Sequence, residues 1–292
     1  MTKLLQGKSG FGLFLAASLL AGWRPLAQTL ALSLHDDQYT YILLIFPVSA
    51  GLLFLEWRSV RTTAAPAVGA GAVFLSIAIL MACFAQGWFI PLSSDVQLST
   101  RMFALVLGWV GAFVLWFGAK AARAVLFPLC FLFALVPLPR IAMDEVVFLL
   151  QEGSAWAAHA LFAAFGIPVV QTGVLLTIPG LTVEVAQECS SIRSSSMLLV
   201  TTIVLAQLML RGPWRKLLVI GLAIPLSIAK NGLRVFTIAM LATRVDRGYL
   251  SGRLHREGGI IFFALALLGI FALLWIFRRG DNRSPTSDIH DS

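Results

Sequence analysis

Charged side chains are scarce in this sequence. They account for 12% of its 292 residues, whereas soluble domains carry about 25%. Hydrophobic residues account for 59%, and the mean hydropathy is +0.88. These values exclude a soluble globular enzyme, a disordered chain and a nucleic-acid-binding domain. They predict an all-α polytopic membrane protein, in which the net charge of +8 comes from Lys and Arg residues beside the membrane spans.

Cysteine is also rare, with only Cys83, Cys130 and Cys189 in the whole chain. Three cysteines cannot form a disulfide framework, and their spacing matches no zinc site. No metal or other cofactor is therefore predicted. Cys83 and Cys130 stand among apolar residues and are predicted to be packing residues, which leaves Cys189 as the candidate for chemistry.

Eight segments are apolar over roughly the 20 residues that a membrane-spanning helix needs. The first is the weakest, because Arg24 and Pro25 interrupt it. Residues 1–279 are predicted to form one transmembrane domain of about eight helices, and the polar residues 280–292 a disordered cytoplasmic tail. The predicted spans lie near 10–31, 40–57, 64–84, 102–119, 122–139, 191–210, 216–241 and 258–277.

Basic residues fall on alternate connections between these spans, which makes those connections and both termini cytoplasmic. The remaining connections then face outward, including the long one at 140–190. The last outward connection breaks the rule because it contains four arginines, which are either solvated charges or a site for an anionic ligand. They are Arg244, Arg247, Arg253 and Arg256.

The long outward connection has structure of its own. Residues 143–166 place apolar side chains at helical spacing, which predicts a short amphipathic helix on the outer leaflet. Its one histidine, His159, is predicted to be a packed or interfacial side chain rather than a ligand. Strand-forming residues on both sides of the turn signal Pro179-Gly180 then predict a β-hairpin.

Cys189 follows this hairpin and precedes the sixth span. Ser190 and Ser191 are good N-cap residues for the helix of that span, so Cys189 is expected at its N-terminus. The positive end of a helix dipole stabilises a thiolate, which is the nucleophilic form of cysteine. Arg193 comes four residues later, on the same face if the helix includes both residues; the other interpretation is an arginine that extends to the membrane interface.

The seventh span contains Lys230, Asn231 and Arg234, counted upward from its cytoplasmic end. Ionisable residues inside a span usually face the bundle interior or a wet cavity, and Arg234 is expected near the outer end, level with Cys189. His255 lies directly before the last span, also outside. An imidazole there can exchange protons with water and with a thiol.

Together these residues satisfy the needs of cysteine catalysis. A nucleophile, a proton donor and acceptor, and a donor for the developing oxyanion are required. Cys189, His255 and Arg234 are predicted to fill those roles in that order. Glu188 is predicted to orient His255 or an arginine, and Asn231 to support the site.

The sequence resembles the exosortase/archaeosortase family over nearly its whole length. Serine replaces the glycine of many relatives at Ser191. The chain also lacks the extra C-terminal domain of some relatives. The matching segments are 188–194 (ECSSIRS), 231–234 (NGLR), His255 followed by Gly258, 137–139 (PLP), 166–169 (GIPV) and 37–43 (DQYTYIL).

The resemblance implies a multi-pass protein of the cytoplasmic (inner) membrane that acts as a sortase-like cysteine protease or transpeptidase. Its partners would be membrane-anchored proteins that end in a short motif such as Pro-Glu-Pro, a transmembrane helix and a basic cluster, together with membrane lipids. Position by position, it implies Cys189 as nucleophile, Arg234 as catalytic arginine and His255 as proton-transfer residue, with Arg193 a further arginine of the motif. Two alternatives remain open, namely a transporter and a non-catalytic scaffold for polysaccharide export.

Overall fold

The structure is a computed structural model that describes residues 2–87, 91–185, 192–246, 248 and 259–281. It is 82% helical, which confirms the predicted all-α class. The chain divides into two compact units, Met1–Met143 and Asp144–Ser292. The prediction of one domain over 1–279 stays a prediction, and the predicted tail at 282–292 lies outside the described residues.

The first unit begins with two helices that meet at a sharp bend. Helices α1 and α2 differ in direction by 68° at Gly22, directly before the Arg24-Pro25 pair that weakens the predicted first span. Proline is tolerated there, because the first turn of a helix has unsatisfied N–H groups in any case. The helices of this unit are α1 (Thr2–Ala21), α2 (Trp23–His35), α3 (Ile42–Leu55), α4 (Trp57–Thr63), α5 (Val68–Phe84), α6 (Ser94–Ala124) and α7 (Leu126–Phe131).

Helix α6 is longer than predicted, and it contains a break at Gly118. This glycine has φ of +89°, a conformation that L side chains rarely adopt. The residue before it, Phe117, accepts a hydrogen bond from Ala65 N at 2.9 Å, so another segment of chain occupies the space beside the break. The predicted fifth span at 122–139 is wrong as a single helix, because α7 has six residues and the 3₁₀ helix Leu132–Leu135 has four.

The count of membrane spans is correspondingly lower than the eight predicted. Among the described residues, six helices are long and apolar enough to cross a membrane, or seven if the bent pair α1–α2 forms one span. Helix α5 resembles a span in composition but has only 17 residues. The prediction of a multi-pass helical protein is confirmed, and the number eight is approximate.

The second unit contains helix α8 (which begins in the first unit, Arg140–Ala164), a small sheet, and helices α9 (Ile192–Met209), α10 (Pro213–Arg244) and α11 (Gly259–Asp281). Helix α8 corresponds to the predicted amphipathic helix at 143–166. It has 25 residues, so it is not short, and its length and hydropathy class it with the candidate spans. The sequence predicts a short helix on the membrane surface, whereas α8 is long and apolar enough to cross a membrane.

The sheet has three antiparallel strands in the order β1 (Val170–Thr172), β2 (Leu175–Ile178) and β3 (Leu181–Glu184). The predicted hairpin is confirmed as β2–β3, with Ile178 opposite Leu181 across the Pro179-Gly180 turn. Strand β1 extends it by one strand. Buried Leu176 and Ile178 belong to one apolar cluster with Phe162 of α8 and Val235 of α10, so the sheet is fixed to both helices.

Helices α9, α10 and α11 contact one another pairwise. Their shared apolar core includes Leu198 of α9, Val219 of α10 and Ile270 of α11. Helices α9 and α10 are antiparallel neighbours, since Ser195 contacts Ser227 near one end and Gln207 contacts Lys216 near the other. The helices that carry Arg193, Asn231 and Arg234 are therefore packed side by side.

Candidate functional site

A stripe of four polar side chains follows one face of α10. Ser227, Lys230, Asn231 and Arg234 are each between 1% and 7% exposed. Lys230, Asn231 and Arg234 follow Ser227 by three, four and seven residues, which places all four on the same side of a helix. Because a charged group inside a bundle is costly, this stripe is a marked departure from apolar packing among the described residues of the second unit.

The stripe faces the first turn of α9. Lys230 Nζ donates to Ser194 Oγ at 2.5 Å, and Ser227 Oγ donates to Ser195 Oγ at 2.6 Å. Both serines belong to the segment that follows Cys189 in the sequence. Two hydrogen bonds thus hold the beginning of α9, as described from Ile192, against the polar face of α10.

The stripe also contacts α8. Asn231 Nδ2 donates to Ser154 Oγ at 2.9 Å, and both residues are 1% exposed. One turn from this contact, Gln151 Nε2 donates to the carbonyl oxygen of Val185 at 3.0 Å, just beyond the end of β3. Helix α8 is therefore hydrogen-bonded both to α10 and to the strand that leads toward 186–191.

Gly232 allows α8 and α10 to approach closely beside this hydrogen bond. A Cβ atom at position 232 would lie 2.5 Å from Ala157 Cβ and 3.0 Å from Ala158 N. Small residues at helix contacts are typical of membrane proteins, in which lipid removes the hydrophobic drive between helices. The packing at Gly232 fixes the height of Asn231 and Arg234 relative to α8.

Two positive charges, Lys230 and Arg234, occupy this buried stripe one turn apart. Unpaired charges would be strongly destabilising in such a place, and neither residue is without a partner. A guanidinium held in this way offers N–H donors in a fixed fork, and an ammonium offers a point charge. The arrangement is suited to stabilising negative charge on a substrate oxygen.

The predicted site residues fall into three groups. Asn231 and Arg234 lie buried on the same face of α10. Arg193 lies on the first turn of α9 and is exposed, in contrast to buried Ser195 two residues later. Cys189, Glu188 and His255 lie outside the described residues, so their predicted roles stay predictions.

Sequence reasoning missed the other polar residues of this hydrogen-bond network, namely Ser154 and Gln151 on α8, Ser194 and Ser195 on α9, and Ser227 on α10. The sequence contained one signal of them. Ser227 lies three residues before Lys230, so it falls on the helix face that Lys230, Asn231 and Arg234 share. Serine changes the hydropathy of an apolar helix little, and its partners on other helices are not visible from local sequence.

The other two cysteines differ from their prediction. Cys83 and Cys130 were predicted to be packing residues, but both are free and exposed. Exposure on an apolar helix of a membrane protein is compatible with lipid contact, and cysteine is apolar enough for it. Cys83 lies in the last turn of α5, close to the end of that helix.

The fold and the stripe together define a class, a multi-pass helical membrane protein with a buried cationic site between helices. The sequence model of the transmembrane exosortase family matches residues 23–272, which is most of the chain and includes parts of both units. The chain therefore belongs to the transmembrane exosortase family. Comparison with curated proteins and with solved structures found no match.

Proposed function

We propose that this protein is a membrane-embedded cysteine endopeptidase or transpeptidase that removes the C-terminal sorting signal of exported proteins. Cys189 is the nucleophile, Arg234 binds the oxyanion and His255 transfers the proton. Its substrates are membrane-anchored proteins whose C-terminus combines a short motif, a transmembrane helix and a basic cluster. Family membership supports a transpeptidase-like role in the membrane.

The observation that most supports this proposal is the burial of Arg234 within the stripe of α10. A donor that is already fixed before the oxyanion forms needs no reorganisation during the reaction, and removing one such donor costs roughly 3–4 kcal/mol. The hydrogen bonds of Lys230 and Asn231 hold α9 and α8 around Arg234. These contacts supply the rigidity that oxyanion stabilisation requires.

The reaction proceeds in two halves. The Cys189 thiolate attacks the scissile carbonyl carbon, the carbonyl electron pair moves to oxygen, and Arg234 stabilises that oxyanion. Collapse restores the carbonyl, breaks the C–N bond and leaves a thioester, while His255 gives its proton to the leaving amine. An acceptor amine or water then attacks the thioester and releases the thiolate, with His255 taking up the acceptor's proton.

Glu188, Arg193 and Asn231 support these three residues. Asn231 acts through its hydrogen bond to Ser154 and so positions α10 against α8. Arg193 is exposed beside Ser194, where a guanidinium can pair with the carboxylate of a glutamate-containing motif. Glu188 orients His255 or one of the arginines.

The test of the proposal is Cys189→Ala in the full chain, expressed with a reporter that ends in Pro-Glu-Pro, a transmembrane helix and a basic cluster. The variant should accumulate uncleaved reporter on an immunoblot while the enzyme stays in the membrane fraction. Cys83→Ala and Cys130→Ala are matched controls, since both change an exposed free thiol, and they should process the reporter normally. Normal cleavage by Cys189→Ala would contradict the nucleophile and favour the scaffold or transporter.

We further propose that the protein lies in the cytoplasmic membrane with both termini inside and the site facing outward. A membrane-impermeant maleimide should then label Cys189 in cells with a permeabilised outer membrane. Because Cys83 is exposed near the end of α5, the experiment needs a Cys83→Ala/Cys130→Ala background. Labelling that requires lysis of the inner membrane would overturn this orientation.

A further inference from the structure

A cleft in the first unit has no role in the proposed reaction. It encloses about 530 Å³ between α1, α2, α5 and α6. Its walls are mostly apolar, with Phe14, Leu75 and Leu105 among the lining residues, but two arginines, Arg24 and Arg101, also line it. Two guanidinium groups in one apolar cleft call for an explanation.

Arg101 has hydrogen-bonding capacity that the described residues leave unused. Its Nη2 donates to the carbonyl oxygen of Ala85 at 3.3 Å and to Gln97 Oε1 at 3.4 Å. Its Nε is buried and has no acceptor among the described residues. A buried charged donor without an acceptor is destabilising, so the described residues do not fully satisfy this guanidinium.

Arg24 lies one residue after the start of α2, beside the bend at Gly22. Its guanidinium is 5.8 Å from the centroid of the Trp23 ring. Within the described part of the chain, neither Arg24 nor Arg101 has a carboxylate at ion-pair distance. Among the described residues, the cleft therefore carries two positive charges without a carboxylate partner, which favours an anionic ligand.

The position of Arg101 along α6 indicates what kind of anion this is. Arg101 comes seven residues after Ser94, so it lies about 10 Å along the helix from its beginning. Gln86, just beyond the end of α5, also lines the cleft. Polar groups thus occur near one end of the α5–α6 pair, while deeper residues such as Ala78 and Gly108 are apolar. This distribution matches an amphiphile with an anionic head and a hydrocarbon tail.

We propose that the cleft binds an anionic phospholipid, with its phosphate at Arg24 and Arg101 and an acyl chain along α5 and α6. Phosphate oxygens accept paired hydrogen bonds from a guanidinium in a geometry that lysine cannot match. This lipid site shares no residue with the stripe of α10 and does not depend on the proposed reaction.

The test is native mass spectrometry of the delipidated full chain, titrated with phosphatidylglycerol or with zwitterionic phosphatidylcholine. The wild type should bind phosphatidylglycerol more tightly than phosphatidylcholine. Arg24→Gln and Arg101→Gln should each weaken phosphatidylglycerol binding about tenfold or more, as expected for lost hydrogen bonds to a charged group. Arg58→Gln removes the same charge from an exposed position on α4 and should bind like the wild type.

Three binding results would overturn the proposal, and a fourth result, with inorganic phosphate, would overturn the lipid assignment. The first three are equal binding of the two lipids, unchanged phosphatidylglycerol binding in the Arg24 and Arg101 variants, or an equal loss in Arg58→Gln, which would indicate a nonspecific charge effect. Inorganic phosphate distinguishes a lipid from a free anion: if phosphate alone raises the unfolding temperature as much as phosphatidylglycerol does, the lipid assignment is wrong. Arg24 is exposed, so Arg24→Gln keeps the test valid even if Arg101→Gln does not fold.

Discussion

Replacement of Arg234 by lysine tests whether this arginine is catalytic or only anchors its helix. The substitution keeps a positive charge at a position that is 7% exposed, so membrane insertion and folding should survive. It removes the guanidinium fork and leaves a single ammonium one turn from Lys230. A point charge cannot reproduce the paired donors that an oxyanion needs.

The size of the expected rate loss follows from the proposed role of Arg234 as an oxyanion donor. Loss of one fixed oxyanion donor costs roughly 3–4 kcal/mol in the transition state, which corresponds to a rate loss of about 100- to 1,000-fold. Because that interaction forms only in the transition state, the defect should appear in the maximal rate. More substrate should therefore not restore processing.

The assay is the rate of conversion of precursor to processed reporter after a pulse of labelling, at two levels of reporter expression. Arg278→Lys is the matched control, since Arg278 is exposed in the last turn of α11, and it should process at the wild-type rate. Gel filtration in detergent checks that both variants are folded. A wild-type rate in Arg234→Lys would refute the oxyanion role and leave Cys189 without its proposed donor.

Three further predictions follow from the same contacts. His255→Ala should behave like Arg234→Lys, with precursor accumulating at both expression levels on an immunoblot. Gly232→Leu should destabilise the protein by about 1–3 kcal/mol through overpacking against α8, seen as a lower unfolding temperature in detergent. Gly221→Leu, on the same helix with no atom within 4 Å of the added Cβ, should have little effect. A double-mutant cycle of Ser195→Ala and Ser227→Ala should give a coupling of about 0.6 kcal/mol, and a coupling of zero would mean that their hydrogen bond contributes nothing.

The sequence predicts the parts of this protein that depend on local pattern. The turn at Pro179-Gly180 predicts the β2–β3 hairpin, because turn residues and strand formers are neighbours in the chain. Lys230 and Arg234 are conspicuous because charges are rare inside apolar segments. The break at Gly118 is different, since it depends on a hydrogen bond from Ala65, more than fifty residues earlier in the chain. Hydropathy contains no information on such a contact, which is why the sequence does not predict this break in α6.

The polar stripe of α10 affects both the association of three helices and the position of Arg234. In lipid, helices gain little from hydrophobic burial against one another, so close packing and interhelical hydrogen bonds supply much of their association. Asn231 and Gly232 provide both toward α8, while Ser227 and Lys230 provide hydrogen bonds toward α9. The same contacts that hold the three helices together thus fix the backbone from which Arg234 projects. Loosening them should therefore reduce stability and processing together, whereas Arg234→Lys should reduce processing alone.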